Sequence, residues 1–170
     1  QRAREQGFDV ETPLYHGTTE SFESFDPAKT GSKFGYDKKG FFFSDDPKTA
    51  RSYSYTPAEK SDSWARFSTD GKAMADARTI KAYVRLRNPL TLEELSAHPE
   101  FKRAPYEDPT DIYDNNRALI EKISEGRDGV DLRFRGQRLV NVFDPANIRR
   151  TDAAFDPSQE GSSRLLSAFP

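Results

Sequence analysis

The sequence of 170 residues contains no cysteine. Disulfides, thiolate zinc sites and cysteine nucleophiles are therefore excluded, and the redox compartment stays open. Histidine is scarce as well: His16 and His98 are the only two, so a multi-histidine site is not expected and neither is a metal. No apolar run approaches the roughly 18 residues of a spanning helix, and the first residues lack the apolar core of a signal peptide. Membrane association is not expected. An excess of one charge sign is also missing, since 26 Lys and Arg face 28 Asp and Glu for a net charge of −2. A strongly basic face for gripping nucleic acid is thus not visible at the level of the whole chain.

Apolar residues are few, at 34%, and the mean hydropathy is −0.88. What is present is aromatic: 13 Phe and 7 Tyr can fill a modest core with few side chains. The length suits a single domain over residues 1–170, with a core of about 12–157 and a polar C-terminal tail draped over it. The first residue is Gln1 and not methionine, which is expected of a piece of a longer protein.

Hydrophobic pattern and breakers place the elements. Residues 1–7 read as a short polar helix closed by Gly7, and Leu14-Tyr15-His16 as a short strand ended by Gly17-Thr18-Thr19. A loop rich in Gly and Lys follows, from Thr30 to Gly40. Phe41-Phe42-Phe43 is a compact strand running into Asp46-Pro47, a helix start in which Asp46 caps and Pro47 takes the first helical position. That helix carries Ala50 and Tyr53 and fails by Pro57; residues 58–78 read as a long loop. Ala82 to Leu86 is a strand stopped by Asn88-Pro89, and Thr91 with Glu94 forms a capping box for a helix to about Ala97. Ile112, Leu119, Ile120 and Ile123 share helical spacing, with Gly126 closing that helix. Val130, Leu132 and Phe134 alternate, Gly136 turns the chain, and Leu139 to Phe143 returns. Short strands and helices mixed in this order predict α+β, not a parallel βαβ array.

Two stretches carry candidate chemistry. His16-Gly17-Thr18 sits at a strand end, where a histidine by itself reads more readily as a hydrogen-bonded surface group and a glycine as the start of a turn. Gly40-Phe41-Phe42-Phe43-Ser44-Asp45, followed by a helix with Tyr53, puts one aromatic on a strand and another on the next helix. Core packing is the better reading for Phe41 and Phe43. Phe42 points the other way, because strand side chains alternate.

In order and spacing, LYHGT, GFFFSDDPKTARSY and VNVFDPANIRR, with GRDGV before and AAFDP after the last, resemble the ADP-ribosyltransferases of the diphtheria-toxin and poly(ADP-ribose) polymerase class. The nearest branch is the one carried in phage and mobile-element polyvalent proteins and polymorphic toxins. The resemblance spans residues 12 to about 157. It implies two small antiparallel sheets around a cleft that holds NAD⁺, with flanking helices. It implies that His16 bonds the ribose next to nicotinamide from the cleft side, that the backbone of Gly17 holds the amide, and that Thr18 adds a hydroxyl. Phe42 and Tyr53, eleven residues apart as the family's aromatic pair is, would sandwich the nicotinamide ring. The first of that pair is usually tyrosine, so Phe42 keeps the stacking face and loses the hydroxyl. Lys33, with Lys29, Lys38 and Lys39, either closes over the diphosphate or is ordinary solvated loop charge.

The family's third residue, a glutamate on a late strand, aligns with Leu139 here; Gln137 and Asn141 share its face, and none of the three is acidic. Asn141 is the preferred polar substitute. Asp128 and Asp131 on the neighbouring strand are alternatives that read better as turn and surface acids. The resemblance then implies an enzyme that transfers a single ADP-ribose from NAD⁺ to a macromolecule, protein before RNA, without a metal. A monomeric toxin or effector, cytoplasmic or delivered into a target cell, is the expected setting. An NAD glycohydrolase and a non-catalytic NAD-binding module are the rival readings.

Overall fold

The computed structural model describes residues 1–18, 22–29, 40–52 and 78–166. Its strands are β1 (Leu14–Thr18), β2 (Phe41–Ser44), β3 (Arg78–Val84), β4 (Pro89–Thr91), β5 (Gly129–Phe134), β6 (Gln137–Val142) and β7 (Ile148–Arg150). Its helices are α1 (Arg2–Glu5), α2 (Pro47–Ser52), α3 (Leu92–Ala97), α4 (Pro109–Asn115) and α5 (Arg117–Ile123). The strands form one sheet of seven in the order β4-β5-β6-β2-β1-β3-β7. All neighbours are antiparallel except β4 and β5. The α+β class therefore holds, while the expected pair of small sheets is replaced by a single sheet.

The junction explains why two sheets were a natural expectation. β1 registers with β3 along its whole length, from Leu14↔Ala82 to Thr18↔Arg78, and β2 with β6 from Phe41↔Val142 to Ser44↔Leu139. Between β1 and β2 the register rests on Tyr15↔Ser44 alone. The sheet is continuous but pinched at its centre.

Alternation of side chains gives the sheet two buried faces. On one, Leu14, Phe41, Phe43, Ala82, Val84, Val140, Val142 and Ile148 pack with Phe25 and Leu165. On the other, Leu90, Val130, Leu132 and Leu139 pack under α3, α4 and α5 through Leu95, Ile112, Tyr113, Leu119 and Ile120. Phe42 joins this second core, opposite to Phe41 and Phe43, as the alternation predicts.

Local chemistry accounts for most boundaries. Thr91 accepts from the Glu94 amide at 3.3 Å while the Glu94 carboxylate accepts from the Thr91 amide at 3.0 Å, the predicted capping box. The Arg127 guanidinium and the Thr91 amide hold the Glu94 carboxyl down at about 2. Pro89 does not end the sheet: it opens β4, whose place at the sheet edge tolerates a missing N–H. The single helix expected around Ile112–Ile123 is two, α4 and α5, broken at Asn116. There the buried Asn116 carboxamide donates to the Tyr106 hydroxyl and the Ile112 carbonyl at 3.0 Å each and accepts from the Lys102 amide at 2.8 Å. A side chain that bonds the backbone competes with helix continuation.

Candidate functional site

β1 carries His16, Gly17 and Thr18 and β2 carries Phe42, and His16 meets Phe42 where the two strands adjoin. His16 is half-buried, and its Nδ1 lies 2.8 Å from the Phe42 carbonyl oxygen. A carbonyl can only accept, so Nδ1 carries the proton, and Nε2 is the acceptor of the neutral ring. The imidazole thus does part of the work of the sparse β1–β2 ladder. Its ring stands edge-on to Phe25 at 4.8 Å and tilted against Phe43 at 5.4 Å. From the sequence His16 is expected on the cleft side and not toward the core; the ring in fact packs against the core residues Phe25 and Phe43. His16 shares a face with Leu14 and Phe43 because strand parity puts it there.

Phe42 contributes its carbonyl to His16 and its ring to the opposite face. That half-buried ring meets Tyr113 edge-on at 4.9 Å. The two side chains are therefore joined through backbone and not ring to ring. Thr18 is buried at the end of β1 and Gly17 is half-buried beside it. Tyr53 and Lys33 lie outside the described residues, as do Lys38, Lys39 and the 58–77 stretch.

Asn141 pairs in register with Phe42 and faces the helices. It is 1% exposed, and its Nδ2 donates to the Tyr113 hydroxyl at 3.1 Å. Burial pushes the Tyr113 phenol up to about 12, against a smaller opposing effect of the Asn141 hydrogen bond. Leu139 is buried in the same helical core, and Gln137 at the start of β6 is exposed. Gly40, at φ +93°, brings β2 close to this group. A Cβ there would collide with Asn141 Oδ1 and stand 2.7 Å from the Val142 carbonyl oxygen. Glycine is required on both counts.

Two nearby acids have structural partners. Asp128 accepts from the Asn88 amide at 3.1 Å and from the Arg87 amide. Asp131 grips Arg138 in a two-pronged pair at 2.9 Å each, and Arg138 also reaches Asp9 at 3.0 Å. Burial would raise the Asp131 carboxyl, but the bonds and charge of Arg138 and Arg133 leave it lowered. Sequence reasoning did not single out Arg138, Tyr113 or Phe25, because a lone charge or aromatic has no signal until a register assigns it a neighbour.

Asp46 caps α2, accepting from the Lys48 and Thr49 amides at 3.1 Å each and the Thr49 hydroxyl at 2.7 Å. The hydroxyl bond is the main reason its carboxyl sits lower than usual. The cap starts α2, described over Pro47–Ser52, with Ala50 buried against the sheet. An open groove elsewhere, lined by Val10, Tyr83, Thr151 and Phe155 beside α1, includes none of these residues.

Among the described residues no group of His, Asp and Glu could hold a metal ion, and no helix is long and apolar enough to cross a membrane. No curated protein and no solved structure matches the chain. The family model described as ADP-Ribosyltransferase in polyvalent proteins matches residues 11–155. That span takes in β1 with His16, β2 with Phe42 and β6 with Asn141, and the chain belongs to this family of ADP-ribosyltransferases.

Proposed function

We propose that this enzyme takes NAD⁺ as its ADP-ribose donor and transfers one unit to a macromolecular acceptor, protein before RNA, in the manner of a toxin or effector. The observation that carries the reading is the His16–Phe42 link within the family match. With Nδ1 fixed as donor to the Phe42 carbonyl at 2.8 Å, Nε2 is the acceptor for a ribose hydroxyl. Gly17 and Thr18, next along β1, hold the nicotinamide amide through backbone and hydroxyl, and Tyr53 stacks on the ring.

Nicotinamide leaves with the electron pair of the bond to the anomeric carbon, and the sugar becomes oxocarbenium-like. The acceptor adds its lone pair to that carbon and releases a proton. The protein's share is to bend the dinucleotide, orient the ribose and admit the acceptor from one side. Asn141 enters the proposal as a support. Buried on the helical face and bonded to Tyr113, it holds the layer against which the Phe42 ring rests. Lys33 stays in the proposal as a contact for the diphosphate.

The test is incubation with NAD⁺ labelled in the adenylate half, in lysate, followed by gel and mass analysis. Label on protein as a single adduct supports the reading. Free ADP-ribose with no adduct would make the enzyme a glycohydrolase, label on RNA would change the acceptor, and a ladder of masses would refute single transfer. NAD⁺ binding without release of nicotinamide would leave only a binding module.

A further inference from the structure

The family match ends at residue 155, yet the chain beyond it enters the core. Leu165 is 1% exposed and packs in the cluster of Leu14, Phe25, Phe43 and Ile148. Its amide donates to the Glu23 carbonyl at 2.8 Å, and its carbonyl accepts from the Arg150 amide at 2.9 Å. Ser24 and Arg164 form an antiparallel bridge beside it. Residues 164–166 thus lie between the end of β7 and the 22–25 segment, bonded to both.

This strap is itself anchored. Arg149 is fully buried and donates to the carbonyls of Gln159 and Glu160 at 3.1 Å each. Arg85 donates to the Glu160 carboxylate at 2.7 Å. Arg149 in β7 and Arg85, just beyond the end of β3, therefore fix where the strap begins. The 22–25 segment it reaches is the one that meets the His16 ring. Phe25 stands edge-on to the imidazole at 4.8 Å and 84°, and Phe22 backs Phe25 at 4.9 Å. The imidazole is held by the Nδ1 bond to the Phe42 carbonyl, by the tilted ring of Phe43 and by Phe25, and of these Phe25 is the contact that the strap supports.

We propose that Leu165 is a positioning residue for His16, holding the Phe22–Phe25 segment on the sheet and so fixing the plane of the imidazole and the direction of Nε2. The consequence for catalysis rests on the reading of His16 as the ligand of the NAD⁺ ribose.

The experiment compares the parent chain with Leu165→Ala, Leu165→Met and Leu95→Ala. Leu95 is 0% exposed in the helical core on the other face, so its truncation matches the loss of burial without touching the strap. Leu165→Val replaces alanine if that variant does not fold. The readouts are the ring signals of His16 by NMR, with His98 as internal control, and nicotinamide release from NAD⁺. Leu165→Ala is expected to move and broaden the His16 signals and lower kcat/KM roughly tenfold, as misplacement of a positioned group does. Leu165→Met should restore both, and Leu95→Ala should lower the melting temperature while leaving both near parent values. Unmoved His16 signals in Leu165→Ala or Leu165→Val would overturn the proposal, as would equal movement in Leu95→Ala. Moved signals with unchanged turnover would support the positioning role and overturn the reading of His16 as a ribose ligand.

Discussion

Replacing His16 separates its two nitrogens if the substitute is chosen by shape. Alanine removes everything at once. It deletes the bond to the Phe42 carbonyl at 2.8 Å, a net loss of about 1 kcal/mol. It also deletes ring contacts with Phe25 and Phe43 worth about 0.5–1.5 kcal/mol each. The sum, about 2–4 kcal/mol, is a large share of the 5–15 kcal/mol that holds a domain together. Lost activity in that variant would then report unfolding as readily as chemistry. Asparagine is different, because its carboxamide nitrogen reaches the place of Nδ1 and can donate to Phe42 while nothing replaces Nε2. His16→Asn is expected to stay within about 1–2 kcal/mol of the parent in urea unfolding. It is expected to lose about 10²–10³ in kcat for nicotinamide release, the loss seen when one positioned polar partner is removed. Glutamine, whose nitrogen reaches toward Nε2, should do the reverse: lower stability through the lost Phe42 bond with part of the turnover kept. A stable His16→Asn with full turnover would refute the reasoning and reduce His16 to a splint between β1 and β2.

Four further outcomes are expected. Gly40→Ala should destabilise by about 3–5 kcal/mol in urea unfolding, combining a left-handed φ with overpacking onto Asn141 and Val142; Asn141→Ala should rescue it only in part, because the Val142 carbonyl remains. Asp131 has a lowered carboxyl pKa in the folded chain, so its stabilising contribution is full above the unfolded value of about 4 and is lost as pH falls through the folded value. Unfolding measured at pH 7 and pH 3 should show that loss in the parent and a flatter profile in Asp131→Asn. Arg138→Met, which leaves Asp131 and Asp9 without their shared cation, should cost roughly 3 kcal/mol or more at pH 7 by thermal melt. Tyr53→Ala should weaken NAD⁺ binding, measured by calorimetry, more than Tyr53→Phe does, since only alanine removes the stacking face.

Elements governed by local chemistry were legible in the sequence. The Thr91–Glu94 box and the Asp46-Pro47 start of α2 work through atoms three residues apart, and both stand where the pattern puts them. The opposite orientations of Phe42 and its neighbours followed from strand parity alone. What failed was governed by distant partners. Asn116 breaks a helical run because Tyr106 and Lys102 arrive to bond its side chain. Pro89 belongs to a strand because β5, forty residues on, gives it an edge to occupy. The polar C-terminal stretch looked like a tail because Leu165, its one core residue among the described residues beyond 157, carries no periodicity. At the candidate site, LYHGT and GFFFSD fall on the adjoining strands β1 and β2. Their mode of contact, a histidine nitrogen on a phenylalanine carbonyl, depends on a pinched ladder that no pattern records.

The two departures that the resemblance implies, at Phe42 and Leu139, lie on one face of β2 and β6. Phe42 and Asn141 are cross-strand partners, and Leu139 pairs with Ser44 two positions along the same face. A tyrosine at 42 or a carboxylate at 139 would place a polar group in the layer now closed by Tyr113, Ile112 and Leu132, where an unpaired charge is costly. The face instead keeps one carboxamide, Asn141, whose Nδ2 donates to the Tyr113 hydroxyl. The two acids weighed as alternatives are bound elsewhere, Asp131 to Arg138 and Asp128 to the Arg87–Asn88 backbone. Extending a polymer calls for a carboxylate to activate the ribose hydroxyl of the acceptor as a nucleophile. Carboxamides orient but take no proton at neutral pH. On the proposed reading of the site, such a face leads to the expectation of single transfer to an acceptor already nucleophilic, and a ladder of masses on one acceptor would refute it.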